Sequence, residues 1–283
     1  MKIKLLFLIF ILIFTACEKK KSINIAVNEW IGYAPLFYAN EKGWLKQDDI
    51  KIIRTVSLGE SVNLYKNGLV NGFTSTQYEY LPLKKEVTPI ILLDKSYGGD
   101  MILSNKTINE LKKYSKIDTY LEIDSVNYLL LKYFSNKYNI PLTKFNFINQ
   151  DQQQLSKKSF DLSKPTIIIT YIPYDLVFKK KGFHVISSTL DDDLLVIDAL
   201  FIDKYLVNKN RFKHLKKKID LAIKEIKQHP KQVYNVIQKY YPNYSYEDFE
   251  QGLYYIKWIN NNKTYINKLK SIDFETKDLI YEN

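Results

Sequence analysis

Apolar positions along the chain fall in short runs of strand length, separated by stretches with helical spacing. Ile23 to Val27 (INIAV), apolar but for Asn24, predicts a buried strand. Gly32, Tyr33 and Ala34 follow as a loop. Pro35 suits the first turn of a helix, where its missing N–H costs nothing, and Gly43 predicts that helix's end after Lys42. Lys51 to Val56 predicts a second strand. Val62, Tyr65 and Leu69 share one face of the next helix, which Gly68 breaks. Asn71 to Thr76 and Pro89 to Leu93 predict two further strands. Such β-α-β-α-β alternation implies a mostly parallel sheet covered by helices.

The pattern then restarts. Lys116 to Glu122 predicts a strand and Ser125 to Tyr138 a helix, with Val126, Leu129, Leu130, Tyr133 and Phe134 at helical spacing. Phe145 to Ile148, Thr166 to Tyr171 and Phe183 to Ile186 read as strands, the second carrying the β-branched run TIIIT. Lys95 to Met101 is the expected crossover between the two units. Beyond Asp203 the chain turns helical. Phe212, Leu215, Ile219, Ile223 and Ile226 form one stripe before Pro230, and Ser245 with Asp248 resembles a capping box opening a helix through Trp258. These helices are expected to pack back on the first unit.

The N-terminus has a different pattern. Lys2 and Lys4 precede an apolar run from Leu5 to Phe14, then Thr15, Ala16 and Cys17. Ten apolar residues are too few for a stable span but fit the core of a secretory signal. Small residues ending at a cysteine resemble a lipoprotein signal: residues 1–16 are removed, Cys17 is acylated, and 17–22 form a tether. An uncleaved anchor is the alternative. In both cases the body is exported, periplasmic or at the cell surface, and held at a membrane. Cys17 is the single cysteine of the 283 residues, which excludes a disulfide framework or a multi-cysteine metal centre.

The formal net charge of +11 includes the two signal lysines. Only Arg54 and Arg211 are arginine, and the lysines are dispersed, so a nucleic-acid surface is not expected. His184, His214 and His229 lie far apart, and no HExxH, phosphate loop, GxGxxG or GxSxG is present. No enzyme activity, metal or cofactor is therefore expected. What remains is a set of polar and aromatic residues at the C-terminal ends of predicted strands, where open parallel sheets bind ligands. Asn28, Glu29, Trp30 and Tyr33 follow the first strand; Thr74, Ser75 and Thr76 end the third; Asp94, Ser96 and Asp100 follow the fourth. In the second unit Glu122, Ser125 and Asn127 sit at a strand-to-helix junction, Tyr171 ends the TIIIT strand, and Asp198 lies near the return crossover. Each also has a purely structural reading: Trp30 as a core aromatic, Ser125 as a helix cap, the threonines as strand-end hydroxyls, Asp94 and Asp100 as turn residues.

The stretch INIAVNEWIGYAPLFYANEKGWLK resembles the opening of periplasmic solute-binding proteins of ABC importers, in the group that takes sulfonates, nitrate, taurine and thiamine precursors. Trp30, Gly32, Tyr33, Pro35, Leu36, Glu41, Lys42 and Gly43 carry the likeness. DKSYGGDMIL, LEIDSVNYLLL and TYIPYDLVFKKKGFHVISS resemble later segments of the group in the same order. Two stretches depart from the group's pattern: Gly68-Leu69-Val70-Asn71-Gly72 replaces the usual Gly-x-x-Asp-Ala, and FDLSKPTIII lacks the corresponding Gly. The resemblance implies an α/β, two-lobed type II periplasmic binding protein fold, with residues 23–97 and 199–283 in one lobe and 98–198 in the other. It implies a monomeric receptor that closes on a small solute and docks on a membrane permease and its ATPase. Carboxylates in the expected cleft, with no arginine among them, favour an amino-bearing or heteroaromatic solute over a plain anion. A sensory or scaffold lipoprotein of the same fold is the alternative; a same-fold thiamine-pyrimidine synthase would carry a cysteine-rich segment that this chain lacks.

Overall fold

The computed structural model describes residues 21–190, 194–242, 244–259 and 265–280; the signal segment and Cys17 lie outside the described residues. The chain builds two sheets. Strands β1 (Ile23–Val27), β2 (Ile50–Arg54), β3 (Gly72–Thr76) and β4 (Val87–Ser96) begin the first. Strands β5 (Asp100–Ser104), β6 (Ile117–Leu121), β7 (Phe145–Asn149), β8 (Thr166–Tyr171) and β9 (His184–Ser188) make the second. The chain then returns through β10 (Ile197–Asp203) and later β11 (Ile256–Trp258). The strand orders are β11-β4-β10-β3-β1-β2 and β7-β6-β8-β5-β9.

The expectation of mostly parallel sheets needs correction. β1 runs parallel to β2 and β3, and β6 to β7 and β8, but β10 is antiparallel to both β3 and β4, β11 to β4, and β5 to β8 and β9. The reason is topological. The chain leaves the first sheet through β4 and comes back into it between β3 and β4, so its return strand runs opposite to its neighbours. This insertion sets the site, because it places Thr76, Asp198 and Asp94 side by side in one row.

The switches between sheets occur at Tyr97–Gly99 and ahead of Ile197. The division expected at 198/199 therefore falls inside β10, which pairs from Ile197 onward. Gly98 takes φ +99, a left-handed conformation that favours glycine. The two crossovers are strapped together: the hydroxyls of Ser96 and Thr189 lie 2.6 Å apart, and Gly98 N donates to Thr189 Oγ1 at 2.9 Å.

Helix α1 (Ala34–Glu41) starts with Pro35 in its first turn and stops at Gly43, at φ +70. Helix α2 (Leu58–Lys66) buries Val62 and Tyr65. Leu69, expected on the same face, is 63% exposed, because Gly68 at φ +70 turns the chain away first. Helix α3 (Gln77–Tyr80) is one turn, and α4 (Val126–Tyr138) buries Val126, Leu130 and Phe134. Helix α5 (Gln152–Lys157) follows β7. Helix α6 (Lys209–Gln228) presents the predicted stripe, all five residues buried, against α1. Each such aliphatic or aromatic side chain contributes about 1.5–3 kcal/mol on burial. Helix α7 (Pro230–Ile237) also packs on α1. Helix α8 (Tyr246–Gly252) opens with the predicted Ser245–Asp248 capping box but ends at Gly252, not Trp258. Residues 256–258 form β11 instead, because the long β4 leaves Asp94–Ser96 open for pairing. Among the described residues no helix is long and apolar enough to cross a membrane.

Candidate functional site

The C-terminal ends of β1, β3 and β4 meet the matching edge of the second sheet, and the residues there are buried. Trp30, just past β1, donates its indole N–H to Asp94 Oδ1 at 3.0 Å. Tyr33 donates its hydroxyl to Asp198. Gly32 between them is required by close approach: a Cβ there would sit 2.1 Å from Asp94 Oδ2 and 2.4 Å from Trp30 Nε1. Trp258 fixes this loop from the other side by donating to Gly32 O at 2.9 Å. The far edge of the Trp30 ring lies against Gly99, where a Cβ would come within 2.4 Å of it.

Asp94 and Asp198 are direct cross-strand partners, a juxtaposition that like charges disfavour. Burial pushes Asp94 up to about 8 and Asp198 well above the usual carboxylate range, with each other's charge adding to the shift at Asp198. Without a cation beside them, burial favours the protonated form of both. Asp94 and Asp100, which could have been turn residues beside the glycine pair, lie in β4 and β5.

The opposing wall comes from the second sheet. Asp100 opens β5 and pairs with Tyr171 at the end of β8. Burial raises Asp100 to about 7. Glu122, past β6, accepts from Gln152 N at 3.2 Å and from the Tyr171 hydroxyl at 3.4 Å, and burial raises it to about 8. Tyr171 meets the Trp30 ring edge-on at 6.3 Å. Asn28, Trp30, Leu58, Thr76, Asp100, Tyr171 and Asp198 line a small cavity of about 10 Å³, room for about one water. Beside it opens a groove of about 1110 Å³, with Glu60, Asn63 and Glu79 on one wall and Glu122, Asp124 and Asp151 on the other.

Glu79 is the contact that sequence reading missed. One oxygen accepts from Ser75 Oγ at 3.0 Å, Thr76 N at 3.0 Å and Thr76 Oγ1 at 2.5 Å; the other accepts from Val126 N, at the start of α4 in the second lobe, at 2.6 Å. One carboxylate thus closes a capping box on α3 and bridges the lobes. Its signal was the Thr76-x-x-Glu79 spacing, which marks a helix start. Gln152 and Leu58 carried no comparable signal.

Of the expected residues, Trp30, Thr76, Asp100, Tyr171 and Asp198 line the cavity. Tyr33 and Asp94 stand directly behind it, bonded to its walls. Glu122 and Ser125 line the groove. Ser75 is held by Glu79. Ser96 is used elsewhere: its hydroxyl meets Thr189 and accepts from Asp100 N at 3.1 Å, so it braces the crossovers. Asn127 Nδ2 donates to Ile169 O at 3.3 Å, inside the second lobe. Ser125 caps α4, its hydroxyl accepting from Asn127 N at 3.2 Å. Arg54, read only as a strand residue, ends β2 and pairs with Glu29, whose other oxygen accepts from Tyr174 of the second lobe at 3.3 Å. The guanidinium is therefore spent at the rim, not in the cavity.

No protein-family model matches the chain, and no curated protein sequence matches it. Solved structures do. The chain is similar to the alkanesulfonate-binding protein SsuA from Xanthomonas axonopodis pv. citri bound to MOPS, with TM-score 0.71 and 11% identity over 91% of this chain and 92% of that one. It is similar to the zinc-bound ligand-binding component of an ABC-type import system from Staphylococcus aureus, with TM-score 0.67 and 13% identity over 89% and 92%. A Candida albicans protein exhibiting the generic periplasmic binding protein structural fold aligns with TM-score 0.63 and 14% identity over 93% and 97%. At such identities the likeness carries the architecture, and on it, together with the two sheets and their crossovers, the chain has the α/β, two-lobed periplasmic binding protein fold.

Proposed function

We propose that this chain is the substrate-binding component of an ABC-type importer. It captures a small polar solute between its lobes and delivers it to a membrane permease driven by an ATPase. The carrying observation is the small cavity where the chain switches sheets, walled from both lobes by buried polar groups and by Trp30 and Tyr171. A site split between lobes couples occupancy to closure, because ligand contacts to both walls exist only when they meet. The Glu79–Val126 bond, also across the lobes, gives the closed form a fixed register. Aromatic edges with nearby carboxyl groups favour an amine-bearing or heteroaromatic solute. Acylation of Cys17 would hold the receptor beside its permease and raise its effective concentration there. Uptake of labelled amines, pyrimidines, taurine and nitrate, compared in cells with and without the chain, tests this. Loss of uptake for an amine or a pyrimidine is expected; unchanged uptake of every solute refutes the importer role.

A further inference from the structure

The space between the lobes gathers acidic side chains without basic ones beside them. Glu79, Asp94, Asp100, Glu122 and Asp198 are all buried there, each at most 8% exposed. Among the described residues none of the five is in an ion pair with Lys or Arg. Two cations of neighbouring elements are committed elsewhere: Arg54 to Glu29 and Lys179 to Asp175. Buried carboxylates without a cation contribute nothing to stability. Their accumulation in one cleft needs another account.

The atoms left without a partner give its direction. Asn28 Oδ1, Thr74 Oγ1, Asp94 Oδ2 and Glu122 Oε2 are buried without a hydrogen-bond partner, and three of the four are amide or carboxyl oxygens. Asn28 lines the cavity together with Asp100 and Asp198, and Glu122 lines the groove. A bound cation would bring these oxygens donors and, by its charge, let the neighbouring carboxyls ionise. The groove wall repeats the bias, with Glu60, Glu79, Glu122, Asp124 and Asp151 against a single basic residue, Lys66. That is an acidic funnel in a chain of net charge +11, and such a funnel steers cations inward.

The seat for an anion is meanwhile filled from within. The N-terminus of α4, with its free N–H groups and positive end of the helix dipole, is the natural place for an anionic group. Glu79 Oε1 already accepts from Val126 N there, at 2.6 Å. A metal ion is disfavoured as the cation, since among the described residues no three His, Cys, Asp or Glu side chains converge closely enough to hold one.

We propose that the cleft selects an organic cation, an ammonium or amidinium-type group on a small apolar or planar body. Its N–H groups would donate to Asp198, Asp100 and Asn28, with its body against Trp30 and Tyr171. Glu79 is the chain's own counter-anion to α4 and denies that seat to anionic solutes. A solute larger than one water needs the lobes to part before it binds, so the cation enters an open cleft and closure follows. This rests on the binding-protein reading for its transport context; the charge assignment rests on the cleft.

The test uses the full chain purified from membranes in mild detergent, at pH 7.5 and constant ionic strength. The probes are methylammonium, 1,4-diaminobutane, guanidinium, benzamidinium, 4-aminopyridinium, nitrate and methanesulfonate. At least one cation should raise the unfolding midpoint by about 2 °C or more, and neither anion should. Asp198→Asn and Asp100→Asn should each weaken that cation's binding about tenfold or more. Both variants should melt no lower than the parent chain without the cation, showing that they fold. A midpoint that no cation moves, one moved by the anions, or a cation response unchanged in both variants overturns the proposal. Cation binding without loss of uptake in cells lacking the chain would leave the site assigned and remove the importer role instead.

Discussion

Asp94→Asn is expected to stabilise the ligand-free protein at alkaline pH. The unfolded chain releases the Asp94 proton near 3.8, whereas burial holds it in the folded chain up to about 8. Between those values the folded state binds more protons than the unfolded state, so stability falls as pH rises and levels off above the folded value. At about 1.4 kcal/mol per pH unit the whole interval corresponds to roughly 6 kcal/mol. That figure is a ceiling, because the lobes can part and hydrate the carboxyl at lower cost. Asp198 across β10 and Asp100 from the second lobe face the same space, and the neighbouring pair titrates as a unit. We expect about 1–3 kcal/mol above pH 8, which for a chain of this size is about 2–12 °C in the midpoint. Asparagine keeps an oxygen for the Trp30 N–H. The difference should shrink steadily as the pH falls and close only near pH 4, where the unfolded chain keeps the Asp94 proton as well. Thermal unfolding by circular dichroism from pH 5 to 9 measures the difference. A variant that melts below the parent at pH 9, or a parent midpoint flat between pH 6 and 9, would refute the burial argument.

Gly32→Ala puts a methyl 2.1 Å from Asp94 Oδ2 and should cost about 1–3 kcal/mol, read as a lower midpoint together with a weaker response to cations. Thr189→Val removes the acceptor of Gly98 N and the partner of Ser96. It should lower stability by about 1–3 kcal/mol while leaving the cation response intact, since no cavity wall changes. Glu79→Gln takes the charge out of the bond to Val126 N, and an open shift is expected, visible as a larger radius of gyration in small-angle scattering; an unchanged radius counts against Glu79 as a lobe bridge. Cys17→Ser should release the protein from the membrane fraction and abolish palmitate labelling, and retention of both would remove Cys17 as the attachment point.

Much of this molecule is legible in local pattern. The strand–loop–helix from Ile23 to Gly43, the capped helix after Ser125, the TIIIT strand and the stripe of α6 all lie where apolar spacing, Pro35, Gly43 and capping residues place them. These are decisions made within a few residues, by side-chain period and backbone freedom. Burial of the strand-end residues followed from the same pattern.

What local pattern could not carry is register over long separations. Asp94 meets Asp198 because the return strand enters between β3 and β4, and nothing near either residue encodes that insertion. The same insertion made the sheets mixed. Ser96 looked like a cleft hydroxyl until the second crossover brought Thr189 to it, and Glu79, which no local pattern singled out for the cleft, is joined to Val126 only because the second lobe comes to its free oxygen. By itself, then, the sequence determined which segments fold, which faces bury and which polar residues gather at the strand ends. Only the tertiary structure decided which of those polar groups satisfy one another and which keep an acceptor unpaired. Hydrogen-bond partnership between distant segments depends on sheet order and lobe contact, which no local period specifies.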